Sequence, residues 1–365
     1  MKQMFDTTAL ATTLAQQRAL KADYVAPANT LVMHTDMHLA MPVRAEVATA
    51  MPLTELGHSQ LADYLTIPKA YYERLRAIPA DQGGGQLLAE NVNHWLTSKG
   101  GERRMVRTLS GNVRAFLSDR YQRIDNYEVA EVALEVLGQV PGLKVVSTAV
   151  TDSRLYIKAV STDIVAKVEG SRRVGDIVEA GVMISNSEVG LGSVAIKPFA
   201  HFLACLNGMV RDGAGLRAAH VGRRIDADLE GLLSDETRRL EDLVVLRKVR
   251  DVITRAFDRQ EFDRFMARLS ASTTQMIAGD VTAAVEQLGP TIGLSQGEKG
   301  GVLRHLIAGG DLSRFGLVNA VTRTAEDVAS YDRATELEAA GFRLLALPEA
   351  QWREVSEAKP LALVA

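Results

Sequence analysis

The hydrophobic pattern of the chain turns on the stretch from Gly181 to Gly213. An apolar run, Gly181 to Ile184, reads as the end of a buried strand, and Ser185-Asn186-Ser187-Glu188 as the polar turn after it. Gly190 and Gly192 flank Leu191, and a second apolar strand runs from Ser193 to Ile196. Pro198 is tolerated in the first turn of a helix. Phe199, Phe202, Leu203, Leu206 and Val210 fall on one face of that expected helix. Asn207-Gly208 predicts a kink or a C-terminal cap within it. Strand, tight turn, strand and buried helix make this stretch the expected nucleus of the fold.

Upstream, the pattern predicts a helix over Phe5 to Lys21, and Tyr24 to Ala48 reads as extended and loop-like, with Pro27 and Pro42 as breakers. Leu53 to Ile78 reads helix, turn, helix, broken at Ile67-Pro68. Asp81 to Gln86, with three successive glycines, reads as a flexible link before a short helix from Leu87 to Thr97. From Arg103 to Ile196 strand patterns dominate: Arg104 to Leu109, Val113 to Leu117, Leu143 to Val150, Arg154 to Val160, Asp176 to Ile184 and Gly192 to Ile196. Ser110-Gly111-Asn112 and Asp152-Ser153 are turn signals between neighbours. Asn126 caps or precedes a helix from Tyr127 to Leu137.

Helical periods return over Asp226 to Leu269, with a break near Ser234 or Gln260, and over Ala278 to Ile307, with turns at Gly289-Pro290 and Gly300-Gly301. Leu312 to Ala339 completes the body, Gly341 to Leu347 reads as a last strand, and Lys359 to Ala365 as a loose tail. Successive hairpins with one intervening helix predict an α+β fold. Its centre is an antiparallel, β-rich sheet with packed helices, and its C-terminal part is mainly helical. The expected divisions are residues 1–100, 101–222 and 223–348, then a tail over 349–365.

Composition narrows the function classes. The apolar fraction is 47% and the charged fraction 24%, ordinary for a soluble globular protein, and no apolar run approaches a membrane span. Met1 to Ala22 lacks signal-peptide architecture. The single cysteine, Cys205, excludes an internal disulfide framework and Cys-rich zinc sites, so a reduced, cytoplasmic location is expected. Net charge is −3, so a nucleic-acid surface must be a local patch. No GxGxxG or GKS/T run marks a nucleotide site, and no cofactor is expected. His34 and His38 are four apart with Asp36 between, a metal-holding spacing on a helix, but no third ligand accompanies them and no metal is expected.

Four pieces of the chain carry a resemblance. They are Gln60-Leu61-Ala62 to Tyr71-Tyr72 followed by Asn91 to Leu96; Phe116 to Tyr121 with Asn126 behind it; Ser185-Asn186-Ser187 with Gly190, leading to Cys205-Leu206-Asn207-Gly208; and Asn319 to Thr322. In that order they resemble the phage- and plasmid-borne family known as domain of unknown function 932, over roughly residues 50–330. Leu206 departs from the small polar residue of the family pattern, which favours packing over chemistry for this turn. The resemblance implies work on incoming or replicating DNA. A β-rich sheet with a long helix and basic edges is also similar to the single-strand annealing proteins of phage recombination, which bind one strand in a basic groove.

The candidate nucleic-acid contacts are Arg103, Arg104, Arg107, Arg114, Arg120 and Arg123, with Tyr121 to stack a base, then Lys197 and Arg211, Arg217, Arg223 and Arg224 in a glycine-punctuated basic loop. The competing reading pairs the first set with Glu102, Asp119 and Asp125 and solvates the loop beside Asp226, Asp228 and Glu230. A recognition helix at Lys69 competes with a packing helix carrying Tyr71, Tyr72, Leu75 and Ile78. Ser185, Asn186, Ser187, Gly190, Asn207, Gly208 and Asn319 are expected to satisfy backbone groups near the core. Asp119, Glu188 and His201 are the best catalytic types, but no spacing rule joins them, so catalysis is not expected. The expectation is a single-stranded DNA binding or annealing protein, a homo-oligomer larger than a dimer with the Phe5 to Lys21 and Asp226 to Leu269 helices at its contacts. The alternative is a protein-binding factor that counters a host defence during DNA entry.

Overall fold

A computed structural model describes residues 6–43, 47–171, 176–203, 207–211, 216–218 and 235–360. The fold is α+β, with antiparallel sheets and a helical C-terminal region, as the pattern predicts.

Helix α1 (Thr7–Leu20) is capped by Asp6, whose carboxylate accepts the Ala9 N–H at 2.7 Å, and buries Leu10 and Leu14. The chain then enters β1 (Lys21–Pro27) without a loop. The segment expected to be loop-like is largely hairpin: β2 (Val32–Met33), β3 (His38–Val43) and β4 (Val47–Pro52) form a small antiparallel sheet. Pro42 is tolerated there because β2 pairs only with Leu39 and Ala40, leaving that edge of β3 open beyond them.

Helices α2 (Glu55–Tyr64) and α3 (Lys69–Arg76) form the expected pair, broken at Thr66 with φ 58° and at Pro68, the N-cap of α3. The glycine run is not a flexible link. Gly84 and Gly85 are buried at the start of α4 (Gly84–Ser98), where an added Cβ would lie 2.0 Å from the Ile78 carbonyl oxygen and 1.9 Å from that of Thr35. β5 (Arg103–Leu109) and β6 (Asn112–Ser118) form a hairpin with positive φ at both Ser110 and Gly111, the turn whose twist suits paired strands. The sheet β1–β5–β6 joins residues on both sides of residue 100, and Leu61, Tyr72, Leu88, Val92, Val106 and Phe116 share its core.

Helix α5 (Asn126–Leu137) is capped one residue earlier than expected, by Asp125 in a capping box with Glu128. The large sheet follows: β7 (Leu143–Val150), β8 (Leu155–Lys167), β9 (Ile177–Asn186), β10 (Val194–Phe202), β11 (Asn207–Val210) and β12 (Leu216–Ala218). Its order is β11-β10-β9-β8-β7, all antiparallel, with β12 also on β10.

The helix expected from Pro198 is strand instead. β10 runs through Pro198, which stands opposite Val182 of β9. On its other edge β12 covers Val194 to Ile196 and β11 covers Phe199 to Phe202, so the proline falls in the gap, where its missing N–H breaks no ladder. Asn207-Gly208 opens β11. Both faces of β10 carry buried apolar residues, Phe199 in one core and Phe202 in another, so the run is apolar on both faces and hides its period of two.

The C-terminal helices are α6 (Asp235–Ala256), α7 (Arg259–Ala271), α8 (Val281–Ile292), α9 (Gln296–Gly309), α10 (Arg314–Asp327), α11 (Tyr331–Leu345) and α12 (Glu349–Ser356). Asp258 breaks the long helical pattern by capping α7, close to the expected Gln260 region. Pro290 lies inside α8, which ends at Gly293 with φ 76°, and Gly300-Gly301 lie inside α9, so neither pair makes a turn. The expected last strand belongs to α11. Gly341 lets that helix approach α10, since an added Cβ would lie 2.3 Å from Thr322 Cγ2. The expected tail begins with α12, which buries Trp352 and Val355. Among the described residues no helix is long and apolar enough to cross a membrane.

Candidate nucleic-acid interface

β5 and β6 carry the predicted arginines, and strand alternation sends them to different environments. Arg107 shares a face with buried Met105 and is itself fully buried. Its Nε donates to Asp23 Oδ1 at 2.9 Å, Nη2 to Asp125 Oδ1 at 2.6 Å and Nη1 to the Glu188 carbonyl oxygen at 3.0 Å. Lys21 reaches the same Asp125 carboxylate. Burial opposes the Arg107 charge, but the carboxylate of Asp23 and its neighbours outweigh it and raise the pKa.

Arg114 pairs with Glu188 at 2.6 Å, and Glu188 Oε1 accepts the Asn126 N–H at 2.5 Å. Asn186 Nδ2 donates to the Ile124 carbonyl at 3.0 Å and to Asn126 Oδ1 at 2.9 Å. Tyr121 donates its hydroxyl to the Ser187 carbonyl at 2.8 Å, and Ser187 Oγ accepts the Leu191 N–H at 3.1 Å. Ser185 is buried beside them, and Gly190, at φ 79°, lies against Leu117. The Ser-Asn-Ser-Glu turn therefore joins the end of β9 to α5 and the β5–β6 hairpin. Arg107, fully buried in that junction, offers no surface to a phosphate backbone, while Arg114 and Tyr121, partly buried, are tied to it through Glu188 and the Ser187 carbonyl.

Arg104 lies 4.3 Å from the Tyr64 ring centroid, and burial lowers its pKa. Arg103, Arg120 and Arg123 are exposed. Arg211 stacks 4.8 Å over the Phe265 ring. Arg217 stands opposite Ala195 in β12, while Arg223, Arg224 and Cys205 lie outside the described residues. Asn207 donates to Thr322 Oγ1 at 2.5 Å, tying β11 to α10, and Gly208 makes room for the Phe199 ring. The Asn207 and Asn319 side-chain oxygens are buried with no partner among the described residues. His201 pairs with Glu179 at 2.9 Å, at the opposite end of β9 from Glu188, so the catalytic candidates are not brought together. His34 and His38 share a hairpin end through the His34 N–H and the His38 carbonyl at 2.9 Å, and among the described residues no group of ligands fits a metal.

Lys197 is placed differently. From β10 it lines a groove of about 370 Å³ between the large sheet and α11. Arg154, Tyr156, Met183 and Ser185 line the sheet side, and Asp332, Arg333, Glu336 and Arg343 the helix side. Four cationic side chains thus face two carboxylates. Arg154 donates to the Leu191 carbonyl and Arg343 to the Ile292 carbonyl at 3.0 Å, while Arg333 bridges Glu298 at 2.7 Å and Glu336 at 2.6 Å. Beside the groove a buried Lys158–Glu338 pair at 2.5 Å pins α11 to β8, and Tyr331 meets Ser147 Oγ at 2.5 Å. Burial pushes the Tyr156 hydroxyl well above its ordinary range, with Asp332 adding to the shift, so it stays protonated.

Arg154, Arg333 and Arg343 were not among the predicted residues. They belong to segments far apart in the chain, and only the packing of α11 on the sheet assembles them with Lys197. The local signal was the spacing within α11, where Glu336 stands three residues after Arg333 and seven before Arg343. No family model, no curated protein and no solved structure matches this chain.

Proposed function

We propose that the chain binds single-stranded nucleic acid, with the phosphate backbone in the groove between β10 and α11, as part of DNA annealing in phage or plasmid DNA metabolism. The observation that carries this reading is the local excess of cations, Arg154, Lys197, Arg333 and Arg343 against Asp332, Glu336 and the Glu298 that Arg333 bridges, on a chain of net charge −3. Phosphate recognition needs such a focused patch, and cations anchored on a sheet and a packed helix meet it with little loss of side-chain freedom. The resemblance to domain of unknown function 932 supplies the mobile-DNA setting. Fluorescence anisotropy of a labelled oligonucleotide tests it. Arg154→Glu with Lys197→Glu should weaken binding at least about tenfold, while Arg264→Glu, on the exposed face of α7, should leave it unchanged. Absence of binding at micromolar protein in low salt would contradict the reading.

A second reading, a protein-binding factor that counters a host defence, draws on one exposed surface. Tyr71 on α3 meets Asn91 of α4, and Leu87 and Trp95 stand one turn either side of Asn91, with Leu87 41% and Trp95 44% exposed. A pull-down that returns one host protein, and loses it with Trp95→Ala, would favour this reading.

A further inference from the structure

Helix α6 has two faces of opposite character. Leu246, Val249 and Ile253 are buried against α5 and the large sheet. Arg239–Glu128 at 2.7 Å and Arg250–Glu135 at 2.9 Å hold its flank to α5. The outward face carries Leu240, 57% exposed, Leu243, 41%, and Val244, 50%. The spacing of three and four residues makes these one stripe, continued by Glu236 one turn before and Arg247 one turn after. Leucine and valine in water at three neighbouring positions are costly for a helix already anchored on its other side.

We propose that a second copy of this chain covers this face, with the two α6 helices packed antiparallel about a two-fold axis between Glu241 and Asp242. The charges select this occupant and this direction. Antiparallel packing that sets Leu240 against Leu243 of the partner subunit also sets Glu236 against Arg247 of the partner subunit, because both pairs share one midpoint. The symmetry repeats each contact, so two ion pairs flank a leucine and valine centre. Parallel packing would put Glu236 against Glu236 and Arg247 against Arg247. Arg239 and Arg250 take no part, since they are engaged with α5.

Sedimentation equilibrium of the full chain, without nucleic acid, tests this independently of the groove. The wild type should show a reversible, concentration-dependent dimer. Leu240→Glu should sediment as a monomer with unchanged circular dichroism, because its side chain is exposed in the subunit. Glu236→Lys and Arg247→Glu should each weaken the dimer about tenfold or more. The double variant should return to near the wild-type constant, since it restores opposite charges across the axis. A wild-type monomer at all concentrations, a mass indifferent to Leu240→Glu, or a double variant as weak as the singles would overturn the proposal. A compact monomer would assign the stripe to cover from within the chain.

Discussion

At the scale of single residues, Arg107 decides how the first half of the chain is read. Its guanidinium is enclosed by Asp23 and Asp125 with Lys21 alongside, and removing one member of such a buried set leaves the others uncompensated. Arg107→Met should lower stability by about 3–5 kcal/mol, read from urea unfolding; an unchanged midpoint would show that the network contributes nothing. In sequence Arg107 looks like any hairpin arginine. Met105 on the same face hinted at an inward direction, but Asp23 and Asp125 lie 84 and 18 residues away, and no local spacing reports them.

His58 gives a second residue-scale test. It is buried with Nδ1 2.9 Å from the Tyr72 hydroxyl, and burial, helped by the nearby Arg76 charge, lowers its pKa to about 4. The unfolded chain begins to take up this proton near 6.5, and the folded chain only near 4. The contribution of neutral His58 is therefore complete above 6.5 and is lost as pH falls toward 4. The slope reaches at most about 1.4 kcal/mol per pH unit. His58→Gln should flatten that slope in urea titrations across the window; an identical slope would contradict the assignment.

At the scale of elements, glycine and proline were the least legible residues, because their meaning depends on what comes near them. Three glycines in a row read as slack, yet Gly84 and Gly85 are where α4 approaches the Ile78 and Thr35 carbonyls. Gly85→Ala should cost about 1–3 kcal/mol through overpacking. Gly300 lies exposed inside α9 with open space where a Cβ would stand, and Gly300→Ala should stabilise by about 0.5–1 kcal/mol. Thermal melts of the two variants should move in opposite directions; shifts of the same sign would contradict the packing description. Pro198 misled in the same way, since its tolerance in β10 comes from the gap between β11 and β12. The hairpins were legible because Ser110-Gly111 and Asp152-Ser153 lie between strands that pair with each other.

At the scale of the molecule, the antiparallel sheet and the helical C-terminal region followed from local periods, whereas the faces those helices cover did not. That difference settles what could be known of the site. The expected arginine track followed one hairpin, and its centre proved to be the ionic junction between that hairpin, α5 and the end of β9. The groove draws on β8, β10 and α11, elements whose adjacency depends on the buried Lys158–Glu338 pair and the helix packing around it.

The proposed nucleic-acid strand in this groove is tested most directly by the salt dependence of binding. Three phosphate contacts on a single strand, from Arg154, Lys197 and Arg343, predict a slope of log affinity against log salt of about −2. Replacing Arg154 and Lys197 by glutamine should make that slope shallower by about 1.4, because two contacts no longer release counterions. A slope that is the same in the wild type and the double variant would place the strand elsewhere on the molecule and contradict the account.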